Sequence, residues 1–280
     1  MWQIFLMVTG LAFLLGASYT DLKKREVPDW LNYGLIFSGL GLRLMFSFEN
    51  GFSIFLNGLL GFGVCFGLAY LFYWANWWGG GDSKLLMGMG AVIGFGFNFE
   101  NWSFSSSDLL LFFIGLLVFG MVMGLVWSVV VAIRKGKKFV KEFKEIIRVY
   151  RKTHLLILFG GGALLVLSIF YWILWPLPFI LVGGFYMLGF VKAVEESCFV
   201  KQIQIKKLVE GDWLAKDVLV EGKKVAGEGK SLEKKELYNL RSLVSLGKLK
   251  KVWVKEGFPF VPSFLLAYVL LIVSNYWSWF

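Results

Sequence analysis

The sequence predicts an all-α polytopic membrane protein of about eight transmembrane helices, with a small α+β cytoplasmic domain inserted before the last helix. Three observations predict it. The 280-residue chain is 58% hydrophobic and 19% aromatic but only 17% charged, where a soluble domain carries roughly a quarter charged residues. Its apolar residues come in long blocks, several at or beyond the ~20 residues a membrane helix needs. Its Lys and Arg residues are also segregated: 3 in residues 21–27, 1 in 76–84, 9 in 134–152 and 15 in 192–258, together 28 of the 29. Only Arg43 lies toward the opposite ends, where Glu49, Glu100 and Asp108 occur. By the positive-inside tendency the four basic regions are cytoplasmic. The net charge of +10 therefore reads as membrane orientation, and no nucleic acid partner is expected.

The apolar blocks place spans at about 2–20, 28–48, 52–76, 83–99, 108–133, 155–173, 177–193 and 262–280. The fourth is short, and the sixth and seventh are separated only by Trp175-Pro176-Leu177-Pro178. The first span has no basic flank before it and Lys23-Lys24-Arg25 after it. Those charges oppose export of the downstream segment, so a retained span is expected rather than a cleaved signal. Residues 1–133 then form a compact transmembrane core.

Residues 134–153 carry Phe139, Phe143, Ile146, Ile147 and Tyr150 on one helical face with basic residues elsewhere. This predicts an amphipathic interfacial helix or a linker between parts of the bundle. Residues 154–193 form a transmembrane hairpin. Residues 194–258 are more polar, with strand-like runs at Ile203–Lys206, Trp213–Val220 and Val252–Lys255. A helix is expected after Ser231, its N-cap, with Leu237, Leu240 and Val244 on one face. The last helix occupies 259–280.

The residues available restrict the chemistry. The single histidine, His154, begins a span, and no His-Glu-x-x-His pair supplies a zinc protease. No Gly-x-Ser-x-Gly elbow is present, and a Ser or Cys nucleophile would need His154 or a lysine as its base. Cys65 and Cys198 show no metal-type spacing and no disulfide framework. No metal or cofactor is expected.

Two carboxylates remain, Asp21 after the first span and Asp82 before the fourth, both on the expected cytoplasmic face. Ionisable groups at membrane depth are costly and tend to be functional. Two carboxyl groups brought together do not both ionise easily, so one holds a proton while the other activates a water. That pair is the chemistry of an aspartyl protease. The bland alternatives are a helix N-cap for Asp82, a loop-edge acid for Asp21 and a helix-start residue for Asp29. Gly79, Gly80 and Gly81 give a stretch without Cβ atoms and with access to positive φ, where an extended substrate backbone can approach.

These residues resemble a known family. Gly79-Gly80-Gly81-Asp82 followed by Lys84 resembles the Gly-x-Gly-Asp motif, with its trailing lysine, of type IV prepilin and preflagellin peptidases. Asp21, with the basic run and Val27-Pro28 behind it, is similar to the family's first aspartate motif. Gly61–Leu86, with Cys65 and Tyr70, is similar to the archaeal preflagellin branch. The resemblance covers residues 1–133, returns at Pro259-Phe260-Val261-Pro262, and does not extend to 134–258.

The resemblance implies a membrane aspartyl endopeptidase with Asp21 and Asp82 as catalytic residues. It cleaves short basic leaders from prepilin or preflagellin-type subunits at the cytoplasmic face of the cell membrane. Gly79, Gly80, Gly81, Lys84, Pro259 and Pro262 are the expected substrate-binding residues. The prolines either shape the entrance of the last span or leave backbone open to receive the substrate as an added strand. Bacterial members often carry a cysteine-rich segment and also N-methylate the product; with no Cys-x-x-Cys pair here, peptidase activity without methylation is expected. The competing readings are a small proton-coupled transporter or channel using the same aspartates, and a membrane scaffold presenting the 194–258 domain.

Overall fold

The computed structural model describes residues 2–75, 77–98, 102–104, 107–208, 211–220, 223–227, 232, 234–245, 249, 251–255 and 257–277. The elements run α1 (Trp2–Lys24), α2 (Asp29–Asn50), α3 (Ser53–Trp74), α4 (Gly80–Ile93), β1 (Phe97–Asn98), β2 (Ser103–Phe104) and α5 (Asp108–Lys135). They continue with α6 (Lys137–Val149), α7 (Arg151–Phe170), α8 (Pro176–Val194), β3 (Val200–Gln204), β4 (Trp213–Leu214) and β5 (Val218–Val220). The remainder is β6 (Lys223–Ala226), α9 (Lys234–Ser245), β7 (Lys251–Lys255) and α10 (Val261–Trp277). The chain is mostly helical with a small strand-containing domain, as the sequence predicts.

Among the described residues, six helical segments are long and apolar enough to cross a membrane: α1, α2, α3, α5, α7 and the stretch Trp172–Phe199 that contains α8. This is the pattern of a multi-pass membrane protein. The expected spans 83–99 and 262–280 fall short of that criterion. Helix α4 has 14 residues, about 21 Å at 1.5 Å per residue against a hydrocarbon core of ~30 Å. It stops at Gly94, whose φ of +80° turns the chain out of the helix into the β1–β2 hairpin, paired Phe97 to Phe104.

The chain divides into two compact units, Met1–Leu125 with Gly257–Phe280, and Val126–Glu256. In the first, α10 packs on α1, and α4 packs on α1, α2 and α3. Helices α3 and α4 touch backbone to backbone: a Cβ on Gly61 would lie 2.3 Å from the Gly90 carbonyl oxygen, and one on Gly90 2.4 Å from that of Gly61. Only glycine permits this approach, and such small-residue seams replace the missing hydrophobic driving force between membrane helices. The core of this unit gathers Leu14, Leu35, Leu86, Met89, Phe112 and Phe264, all fully buried.

In the second unit, α6 turns its apolar face onto α8. Phe139 meets Phe190 at 5.4 Å and Phe143 lies against Gly189, so that face is covered by protein, as a linker helix requires. Gly136, at φ +32°, separates α6 from α5. His154 meets the Tyr186 hydroxyl at 2.8 Å, joining α7 to α8. The small domain has a three-stranded antiparallel sheet in the order β3-β7-β4 and a β5-β6 hairpin. Val252 and Val254 alternate inward on β7, over Leu214, Val218 and Leu240.

Two strand expectations need correction. The run at Ile203–Lys206 leaves the strand after Gln204 and coils into a short turn at Ile205–Lys207, which sends Ile205 into the core. The run at Trp213–Val220 is two strands rather than one, bent at Ala215–Asp217. Leu237, Leu240 and Val244 share the packed face of α9; Ser231, the expected N-cap, lies outside the described residues.

Candidate active site

Three segments of the first unit converge: the end of α1, the start of α4 and the entrance to α10. Asp21 sits in the last turn of α1, 6% exposed. Its Oδ2 accepts the Val261 N–H at 2.9 Å, the first amide of α10. Free N–H groups and the positive end of the helix dipole make this a natural seat for a carboxylate. The Phe260 amide and the Arg25 charge face the same carboxylate. Arg25, at φ +59°, ends α1 and donates to the Gly257 carbonyl. The α10 entrance is therefore pinned to α1 at two points, more than 230 residues apart in sequence.

Asp82 lies in the first turn of α4. Gly79, extended at φ −71° and ψ 160°, is the N-cap, and no side chain caps this helix. The capping alternative for Asp82 is thus not what the structure shows. Asp29 likewise sits inside the first turn of α2, after Pro28. The Asp21 and Asp82 carboxylates are close enough to act on each other's charge. Trp78, just before the glycines, packs on Phe260 at 5.3 Å and Phe264 at 5.8 Å, which closes the layer from the α10 side.

The other expected site residues fall around this pair. None of Gly79, Gly80 and Gly81 takes a positive φ, so the left-handed freedom of the glycine run goes unused. What the glycines provide is space: a Cβ on Gly81 would stand 3.6 Å from Val27, one on Gly80 3.9 Å from the Tyr73 ring. Lys84 pairs with Asp29 at 2.6 Å and lies 5.3 Å from the Tyr33 ring, tying α4 to α2. Pro259 is buried just before α10, and Pro262 lies in its first turn. The backbone between them is partly engaged: the Val261 N–H goes to Asp21, and the Phe260 carbonyl accepts from Ser263. An added strand would have to use other groups. Among the described residues, no three His, Cys, Asp or Glu side chains gather as a metal site.

Sequence reasoning missed the other end of α4. Arg43, 4% exposed, donates Nε to the Ala91 carbonyl at 2.9 Å, Nη2 to Val92 at 2.9 Å and Ile93 at 2.7 Å, and Nη1 to Ile54 at 3.1 Å. The Ala91, Val92 and Ile93 carbonyls end a helix that stops short, and without water each needs a partner. The Asn57 side chain exchanges two 2.7 Å hydrogen bonds with the Phe97 backbone just beyond. The available signal was an arginine inside an apolar run, which the charge count treated only as an exception.

Comparison with known proteins bears on the same helices. Residues 8–130 match the type IV leader peptidase family, a stretch that contains Asp21, Gly79–Asp82 and Lys84. Over that stretch the chain is similar to type IV leader peptidases. It is 41% identical over 85 residues to a preflagellin peptidase of Methanococcus voltae, covering 30% of this chain and 36% of that protein. It is 37% identical over 87 residues to one of Methanocaldococcus jannaschii, covering 31% of this chain and 37% of the relative. A preflagellin peptidase of Methanococcus maripaludis is 33% identical over 87 residues, with the same coverage. The chain thus spans little more than a third of the length of these relatives. The family match ends at residue 130, so the second unit lies almost wholly outside it.

Proposed function

We propose that this chain is a membrane aspartyl endopeptidase. It removes short basic leaders that precede a hydrophobic helix, from prepilin or preflagellin-type subunits, without N-methylation. The observation that carries the reading is the placement of Asp21 and Asp82 on separate helices, near enough to interact electrostatically, inside the stretch that matches leader peptidases. The names of the relatives supply the substrate class.

The proposed cycle starts with the substrate's apolar helix against the bundle and its scissile segment unwound beside Gly79–Gly81. One carboxylate takes a proton from a water whose oxygen attacks the scissile carbonyl carbon. The other, protonated, polarises the carbonyl oxygen; on collapse the leaving nitrogen gains a proton and the peptide bond breaks. The two aspartates titrate as a pair, so the roles belong to the dyad rather than to either residue. The Val261 amide fixes one member of the dyad against the start of α10.

In this reading α4 and α10 also cross the membrane, giving eight crossings. The shortness of α4 is met by local thinning and by the protein around it. The segregation of 28 of 29 basic residues supports a cytoplasmic site. The test mixes the purified full chain with a preflagellin or prepilin carrying its leader, alongside Asp21→Asn and Asp82→Asn. Cleavage by the parent and by neither variant is expected. Full activity in either variant overturns the reading.

A further inference from the structure

Ser18, Asn32 and Ser83 are buried polar side chains with no hydrogen-bond partner for Ser18 Oγ, Ser83 Oγ or either amide atom of Asn32. Asn32 is fully buried, Ser83 is 4% and Ser18 6% exposed. An unpaired amide in a protein interior is destabilising, and in a membrane interior water is scarce. Buried polar groups left without partners call for an explanation.

Their positions supply one. Ser18 lies one turn before Asp21 on α1, on the same buried side. Ser83 comes directly after Asp82 on α4. Asn32 is in the first turns of α2, a helix that meets both at this level. Lys84 reaches Asp29 and the Tyr33 ring on either side of Asn32, and Gly16 of α1 lies against Leu31. The three unpartnered residues therefore share the layer that holds the carboxylate pair, one from each helix. Hydrolysis consumes a water at a pair of aspartates that the bundle largely encloses, and that water needs hydrogen-bonding groups to enter and stay. An asparagine offers two N–H donors and a carbonyl acceptor, and each hydroxyl offers one donor and an acceptor.

Building on the proposed peptidase activity, we infer that Asn32, with Ser18 and Ser83, is the water-holding part of this site, seating the hydrolytic water against Asp21 and Asp82. The amide is kept in an unfavourable place because the reaction uses it, as functional strain is kept elsewhere in proteins.

The test is Asn32→Leu, nearly isosteric and apolar, in the full chain, assayed on a leader-bearing substrate beside Asp82→Asn. Thermal unfolding in detergent should shift upward by a few degrees, since an unpaired buried amide is removed. The value of kcat should fall about 10- to 100-fold with KM nearly unchanged, the cost of a misplaced reactant. Asn32→Ser should recover part of kcat and lose the thermal gain, and Ser83→Ala should lower kcat less. A packing role would move stability and activity downward together, and that outcome overturns the inference. So does unchanged kcat, or an Asn32→Leu chain that no longer folds. Full activity in Asp82→Asn would instead overturn the peptidase reading itself. An inactive Asp82→Asn beside a fully active Asn32→Leu leaves that reading intact and removes only this inference.

Discussion

Helices α4 and α7 are both apolar, yet they do opposite work. Eight of the 14 residues of α4 are buried, including Leu85, Leu86 and Met89. Of the 20 residues of α7, only Gly161 is buried, and Phe159 is 83% exposed. The long helix satisfies its own backbone and presents hydrocarbon to hydrocarbon. The short helix has polar ends inside the packed unit, and other side chains must satisfy them. Its C-terminal carbonyls are held by Arg43, and its N-terminal turn carries Asp82 opposite Asp21. A helix too short to be self-sufficient is where the protein concentrates its buried polarity, and so where chemistry can sit.

The sharpest way to break this comparison is at the dyad. Under the proposed reading, Asp82→Asn should lower the rate of leader cleavage by about 10²–10⁴-fold, the usual contribution of a positioned acid or base. Thermal unfolding should be nearly unchanged. Asp21→Asn should lose activity equally. It should also lower stability, because a neutral amide oxygen accepts the Val261 N–H more weakly than the carboxylate and loses the attraction of the α10 N-terminus and Arg25; circular dichroism melts separate the two variants.

At the opposite end of α4 the expected effect is on stability. Arg43→Met orphans the carbonyls of Ala91, Val92 and Ile93, and each that finds no new donor costs about 1–3 kcal/mol. Chemical denaturation in detergent should report the sum, with Arg43→Lys recovering part of it because a lysine can still donate. Gly90→Ala should cost somewhat less, about 1–3 kcal/mol, because its Cβ would strike the Gly61 carbonyl and Cys65. A Gly90→Ala chain with wild-type stability would show that the α3–α4 seam is looser than its contacts imply.

The candidate pair was legible in the sequence because each aspartate stands in a polar break beside an apolar run, Asp21 after the first and Asp82 before the fourth. The end of α4 was not legible. Residues 83–99 read as one apolar stretch, and hydropathy does not register that Gly94 turns the backbone. Arg43 was visible as a charge out of place, but its partners are main-chain carbonyls that no side-chain pattern marks. The Val261–Asp21 contact joins residues 240 apart, and its donor is a backbone amide of an apolar residue. In the second unit, β6 passed unnoticed because Lys223-Lys224 look like a loop. The strand exists because Val225 and Ala226 pack against the domain core.

The smallest expected effect tests the other half of the comparison. Phe159→Ala on α7 removes a ring that the protein does not enclose, so no cavity forms and no partner is orphaned; the change should lie within about 0.5 kcal/mol. Leu86→Ala on α4 removes a fully buried side chain and should cost about 2–5 kcal/mol. Both remove apolar atoms from helices of similar hydrophobic character, so composition alone assigns them comparable costs. Unfolding free energies measured side by side in one detergent discriminate directly. Comparable losses would mean that α7 is packed against protein in solution, and the contrast between a self-sufficient helix and a supported one would fail.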